Sequence, residues 1–461
     1  MSEGNCAKIH EATVAGLTFS SDFDSGNASC IDYSAESNSY NIWIASDCEG
    51  TQYENQFKTW FHFSVKGFTT DQKVTFCIRS GDDRTNELKW SYCYKYPVGC
   101  VVYFAMCYPL GYGEMQLYLA ELESVCSKPT KVNQQLPSLS GISLLPTDTH
   151  QLHLGQDALL SRELLARSIC GRRIDIITVF SSAKGEHPAK CEQSATADLT
   201  KPVVLLTARV HPGETPGQFA LLGALNFALS DDPRAVALRH NYDIKFIPMI
   251  NPDGVYMGNY RTNSQGVNLN RQVNLSQPAH QIIVTDVILN PGQSTKQWVG
   301  AVVSLAKGYA EKGLLKLYAD MHGHANKTGC FLFGNALKTP FHSAWNRAFA
   351  RLMNINSPYF DLDKYVNEEY ILEIGDTKEE GEVDSGIDRS KTKEGCGRVA
   401  IYKITGLTHS YTLECNYARP GNTKSIPPPT DPTGMTSLLN NGCLSNKTAL
   451  AGGFEPHHWA Q

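Results

Sequence analysis

Between residues 18 and 109, apolar and polar positions come in short runs broken by polar turns. YNIWIAS, WFHFSVKGF, KVTFCIRS and GCVVYFAMCYP are rich in β-branched and aromatic residues and partly alternate, which predicts strands. No 3.6-residue period interrupts them, so the economical reading is a small antiparallel β-sandwich. The pattern changes at Tyr112. GEMQLYLAELESVC spaces Met115, Leu117, Leu119, Leu122 and Val125 at near-helical intervals, and the Pro- and Ser-containing KPTKVNQQLPSLSG reads as a loop.

Further along, RIDIITVFSS predicts a strand, followed by a polar connection over 183–201. The wholly apolar PVVLLTARV then runs straight into HPGE. A helix (GQFALLGALNFALS), a strand (YDIKFIPMINP), a helix ending near Lys316 and the strand LKLYADMHGH follow. Strands that are apolar throughout and alternate with helices predict an α/β domain around a buried, largely parallel sheet. Residues 367–397 are acidic and polar and read as a surface loop, and the chain beyond Pro427 reads as a polar tail.

At 461 residues the chain exceeds one ordinary core. The reading is a sandwich domain over 1–107, a catalytic domain over 108–426 and a tail over 427–461. The formal charge of −5 gives no footprint for nucleic acid. No run is long and apolar enough to span a bilayer, and the first residues lack a signal-peptide layout, which points to the cytoplasm. The 14 cysteines are scattered without a CxxC pair, as expected of reduced thiols.

Within this frame, VHPGE places His211 and Glu214 where a buried strand ends, and ADMHGHA offers His322 or His324 at a second strand end. A catalytic zinc site needs three protein ligands, and strand ends of α/β sheets carry such groups. HSYTLECNY buries Glu414 in an apolar strand, which is costly without a reason and marks it as a candidate catalytic carboxylate. After the turn NPDG, the segment NYRTNSQGVNLNRQ supplies Arg261, Asn270 and Arg271, side chains suited to carboxylates and developing oxyanions.

In order, HPGETP, IPMINPDGV, YRTNSQGVNLNRQ, DMHGHANKTGCFLFGN and KEGCGRVAIYKITGLTHSYTLECNY resemble the cytosolic carboxypeptidase subfamily of zinc metallocarboxypeptidases. FSSDFDSGNASC and DCEGTQYENQFKTWFHFSVKG resemble that subfamily's N-terminal sandwich domain. The resemblance implies an α/β mixed-sheet zinc carboxypeptidase domain after a small antiparallel β-sandwich. It also implies one Zn2+ held by His211, Glu214 and His322, with His324 a neighbour. Glu414 then matches the general base, and Arg261 the group that polarises the scissile carbonyl. Asn270 and Arg271 match the pair that grips the substrate's α-carboxylate, and Arg398 falls at the specificity pocket as a partner for an acidic side chain.

The implied substrates are polyglutamylated tubulin and other glutamate-rich tails, trimmed in the cytoplasm or on microtubules, with branch-point glutamates included. The rival readings are a deglutamylase confined to linear chains and a non-catalytic binder of acidic tails. The chain departs from the resemblance twice. The linker between FCIRS and KWSYCYKY is short, which predicts a sandwich lacking a strand or an edge. The tyrosine that closes over substrate has no single counterpart among Tyr365, Tyr370 and Tyr402.

Overall fold

The computed structural model describes residues 8–79, 87–128, 134–137, 153–181, 201–271, 297–368 and 396–417. The tail and nearly all of the acidic 367–397 stretch, Tyr370 included, lie outside them.

The first eight strands are β1 (Ala12–Val14), β2 (Leu17–Ser20), β3 (Cys30–Ser34), β4 (Ser39–Trp43), β5 (His62–Lys66), β6 (Lys73–Arg79), β7 (Glu87–Cys93) and β8 (Val102–Ala105). They form two four-stranded sheets, ordered β1-β2-β5-β8 and β3-β4-β6-β7. Alternation turns Phe19, Tyr40, Phe63, Phe76 and Phe104 inward, and their rings pack on one another at centroid separations of 4.9 to 6.4 Å. Each sheet pairs four strands, and the short linker between β6 and β7 lies outside the described residues. One pair departs from the antiparallel expectation: β4 and β6 run parallel, because the chain crosses to the other sheet as β5 and returns between them.

The second domain holds β9 (Ala158–Arg167), β10 (Arg173–Ser181), β11 (Val203–Ala208), β12 (Asp243–Ile247), β13 (Leu315–His324), β14 (Cys330–Asn335), β15 (Val366–Glu368) and β16 (Ser410–Asn416). Their order in one sheet is β15-β14-β16-β13-β11-β12-β10-β9. The four central strands β12, β11, β13 and β16 are parallel, and antiparallel pairs flank them, so the sheet is mixed.

Helices cover both faces, which is why the central strands are apolar throughout. α1 (Tyr112–Cys126) and α2 (Thr215–Leu229) bury Met115, Leu119, Leu221 and Leu225 on the face carrying Val179, Phe246 and Met321. α3 (Pro233–Asn241) and α4 (Pro252–Met257) follow at the edges of the strands. After them, α5 (Gln297–Glu311) and α7 (Gly397–Thr405) cover the opposite face with Ala306, Tyr309 and Ile401, and α6 (Pro340–Asn356) packs beside β14. On α1 the helical spacing holds, but Leu117 points outward and Tyr118 takes the buried position instead. All eleven cysteines within the described residues are free thiols.

Candidate active site and metal centre

At the end of β11 the chain turns sharply through Arg209, a non-glycine residue at φ +62°. That conformation costs energy and persists only where the surroundings over-determine it. Here the buried guanidinium donates to the carbonyls of Pro212 (2.6 Å) and Leu110 (3.1 Å) and to the Gln218 side chain. The turn lays His211, Pro212, Gly213 and Glu214 across the carboxyl edge of the sheet, with Glu214 at the start of α2. Asn251 of NPDG braces the turn from the next strand by donating to Val210 O, while its Oδ1 accepts from Gly254 N–H. Asp253 ties the same motif to the β9–β10 connection through Ser168 Oγ, Cys170 N–H and Arg172. NPDG is thus a scaffold for the site.

α2 lies directly on β13 beside His322. A Cβ on Gly217 would stand 2.4 Å from Met321 O and 2.6 Å from His322 N, so only glycine fits. Gly217→Ala is therefore expected to push the helix off the strand at a cost of about 1–3 kcal/mol. Thermal denaturation should show this together with reduced zinc content in the purified protein.

His211, Glu214 and His322 are 3%, 6% and 3% exposed, and their ligand atoms all lie within 4.8 Å of one another. His211 Nδ1 is 2.8 Å from Glu214 Oε1, and His322 Nδ1 is 2.8 Å from Glu214 Oε2. Each imidazole has an acceptor behind it: Asn268 Oδ1 faces His211 Nε2 at 3.2 Å, and Asp320 Oδ2 faces His322 Nε2 at 2.7 Å. Asp320 is itself held by Thr207, whose hydroxyl donates to Oδ1 at 2.8 Å. Acceptors at both Nε2 atoms favour a proton on each, and both Nδ1 atoms face Glu214, where a bound cation would take their lone pairs.

Burial, the largest influence, lowers His211, and Arg261 adds to it. Burial also lowers His322, but Asp320 and Glu214 outweigh it and hold this imidazole well above the usual histidine range. Burial raises Glu214, yet His211 and His322 prevail and hold it well below the usual carboxylate range. Despite its short distance to Glu214, buried His211 Nδ1 makes no hydrogen bond. Two imidazole Nδ1 atoms and a carboxylate converging in a buried space fit a zinc ion, and His2Glu is a donor set of catalytic zinc sites.

Glu414 stands directly beside His322 in the parallel β13–β16 register and therefore on the same face of the sheet. Burial chiefly pushes its carboxyl up to about 8, with Glu214 and Asp320 adding to the rise and His322 and Arg261 opposing it. Arg261 Nη1 lies 3.8 Å from Glu214 Oε1. Asn270 and Arg271 sit on the short turn that begins beside Asn268. Asn270 Oδ1 accepts from Gly397 N–H at 3.0 Å, and Arg271 donates to Asn270 O at 2.7 Å. The structure thus brings His211, Glu214, His322, Glu414 and Arg261 together at the carboxyl edge of the sheet, and joins Asn270 to them through Asn268, with Arg271 next along the turn.

Arg398 is 2% exposed, and its guanidinium donates to Gly334 O and to Asn335 Oδ1, which fastens α7 to β14. His324 stands outside the ligand group, with its Nδ1 accepting the N–H groups of Asn326 and Lys327 at 3.2 Å each. Tyr365 spends its hydroxyl on Asn346 Oδ1 at 2.6 Å.

Sequence reasoning missed the supporting shell. Asp320 carried a signal, since it is two residues before His322 and a strand repeats its face every second residue. Tyr417 carried a weaker one, three residues past Glu414. Its ring comes within 3.0 Å of the place a Gly323 Cβ would occupy, against the ligand-bearing strand.

The chain matches the family model for zinc carboxypeptidase over residues 150–426 and that for the cytosolic carboxypeptidase N-terminal domain over 19–106. It is 28% identical to cytosolic carboxypeptidase-like protein 5 of Rattus norvegicus, an alignment that covers 90% of this chain and 64% of that protein. Against the Homo sapiens protein of the same name the identity is also 28%, covering 90% of this chain and 60% of the relative. The chain therefore spans less than two thirds of these relatives' length. Among solved structures, a metallo-carboxypeptidase from Burkholderia cenocepacia shares the fold with a TM-score of 0.55 at 17% identity, covering 87% of this chain and 90% of that one. A metallo-carboxypeptidase from Pseudomonas aeruginosa does so with a TM-score of 0.53 at 17% identity, covering 88% and 93%.

Proposed function

Since this chain belongs to the zinc carboxypeptidase family, we propose that it removes glutamates, branch-point glutamates included, from polyglutamylated tubulin and similar acidic tails in the cytoplasm. The observation that carries a hydrolytic reading is the buried His211, Glu214 and His322 group with Glu414 in register beside it. The glutamate preference rests on the likeness to cytosolic carboxypeptidases.

When bound by the three ligands, zinc lowers the pKa of water towards ~7 and polarises a carbonyl. Glu414 takes the proton from the attacking water and returns it to the departing amine. Arg261 offers its guanidinium to the oxyanion that develops on the scissile carbonyl. Asn270 already spends Oδ1 on Gly397, which leaves its Nδ2 hydrogens to give to a terminal carboxylate, and Arg271 beside it supplies the charge. A substrate without a free α-carboxylate leaves these donors unmatched, so the activity is that of an exopeptidase. Arg398 is proposed to read the acidic side chain, for which substrate must compete with Gly334 O and Asn335 Oδ1.

Three peptides of matched composition test this: one with a linear glutamate terminus, one with a γ-branched glutamate and one amidated at its C-terminus. Free glutamate should appear from the first two and not from the third. Release from the linear peptide alone would reduce the activity to chain shortening, and release from none would leave a non-catalytic binder. Arg398→Ala should lower the preference for glutamate over an apolar C-terminal residue roughly tenfold, as loss of one charge-assisted pair implies. Equal losses on both residues would remove Arg398 from the pocket.

A further inference from the structure

The segment that carries Arg261 is held by the N-terminal sandwich domain. Asp47, 1% exposed and located in the loop after β4, accepts four hydrogen bonds from three consecutive residues of the catalytic domain. Tyr260 N–H reaches Oδ1 at 2.5 Å, while Arg261 N–H, Thr262 N–H and the Thr262 hydroxyl reach Oδ2 at 2.8, 2.8 and 2.9 Å. Three successive amides pointing at one carboxylate form an anion cradle, filled here from another domain. The other side of the same segment is tied to the metal-binding turn, because Gly213 N–H donates to Tyr260 O at 2.8 Å.

Asp47 is itself fixed. Its own N–H donates to Phe57 O at 2.8 Å, and its carbonyl accepts from Asn55 N–H at 3.2 Å. Next to it, Cys48 N–H donates to Asn259 Oδ1 at 3.3 Å, and the Asn259 amide group donates to Thr262 O and Asn263 O at 3.1 Å. The loop also touches the guanidinium directly, since Arg261 Cζ lies 5.7 Å from the centre of the Phe57 ring. Arg261 therefore has its backbone clamped by Asp47, one side of its guanidinium near Phe57 and the other 3.8 Å from Glu214.

We propose that Asp47 is a positioning residue for catalysis, by which the sandwich domain sets the Arg261 guanidinium against the metal centre. The two domains then form one catalytic unit, and the sandwich contributes to turnover through Arg261. The step from position to turnover rests on the proposed carboxypeptidase reading; the clamp does not.

Asp47→Asn replaces a carboxylate oxygen with an NH2 that cannot accept, so at least one amide loses its partner while the side chain keeps its size. Two measurements on the full chain test the proposal. Hydrogen–deuterium exchange of the peptide covering 259–263 should quicken at least tenfold in the variant, with zinc content unchanged. Unchanged exchange there would overturn the clamp whatever the protein cleaves.

On a cleaved peptide, kcat should fall roughly 10- to 100-fold with KM nearly constant, the scale expected of a misplaced catalytic group. In an Arg261→Ala background the same substitution should cost less than twofold further, because the group it positions is already gone. An equal loss in both backgrounds would mean that Asp47 serves only general stability and would overturn its role through Arg261. If the unaltered protein releases no glutamate from any peptide, the functional reading falls, and the exchange result alone decides the clamp.

Discussion

Replacing Glu414 by glutamine is expected to lower kcat by about 10³-fold, within the range general acid–base groups contribute, while leaving one zinc per chain. The two halves of the result come from different parts of the site. Glu414 is not among the three residues whose donor atoms converge, so its loss opens no ligand position. The amide is close in size to the carboxyl and keeps the contact with β14, where Phe331 is the register partner.

What the variant cannot do is accept a proton and give it back. The environment explains why this carboxylate suits the task. Burial, with Glu214 and Asp320, pushes it up to about 8, and a dication held by His211, Glu214 and His322 would oppose that rise. A base titrating close to working pH can both take and return a proton. The checks are metal analysis of the purified variant and steady-state kinetics on a peptide that the parent cleaves. Turnover within tenfold of the parent would assign the base to another group. Loss of zinc would make Glu414 part of the metal site.

Much of this site was legible in the sequence, for a physical reason. Catalytic groups sit where apolar strands end, and an apolar run interrupted by histidine or glutamate is conspicuous because such groups are costly to bury. His211, Glu214, His322 and Glu414 all carried that signature; β11, β12 and β13 were visible as strands of a buried, largely parallel sheet, and β16 as an apolar strand. β9 was not. ALLSRELLAR pairs its leucines in a way that fits neither period, and as the edge strand it hydrogen-bonds only to β10, with Leu164 left 42% exposed. α6 was hidden by apolar residues on its outer side, where Phe341, Trp345, Leu352 and Ile355 are all more than half exposed. The link between Asp47 and Arg261 was beyond any local pattern, because 214 residues separate them and the recognition is by backbone amides, which leave no mark in side-chain identity.

The supporting shell leads to the second large effect. His322 stands between two carboxylates, Glu214 at its Nδ1 and Asp320 at its Nε2. His322→Ala removes a zinc ligand, and it also leaves Asp320 and Glu214 buried at 2% and 6% exposure with no imidazole between them. Breaking a buried charge pair costs about 3–5 kcal/mol, so the variant should lose zinc, lose all measurable turnover and melt well below the parent. Because such a protein can simply fail to fold, Asp320→Asn isolates the same electrostatics. Asparagine still offers Oδ1 to an imidazole N–H or to the Thr207 hydroxyl, but it lacks the charge that makes His322 a strong donor to a cation. Zinc affinity, measured by competition with a chelator, should fall roughly 10- to 100-fold, as for other outer-shell partners of metal-binding histidines. Activity should return when zinc is added in excess, which His322→Ala cannot match. Unaltered affinity in Asp320→Asn would show that the carboxylate orients nothing and that His322 is fixed by its strand alone.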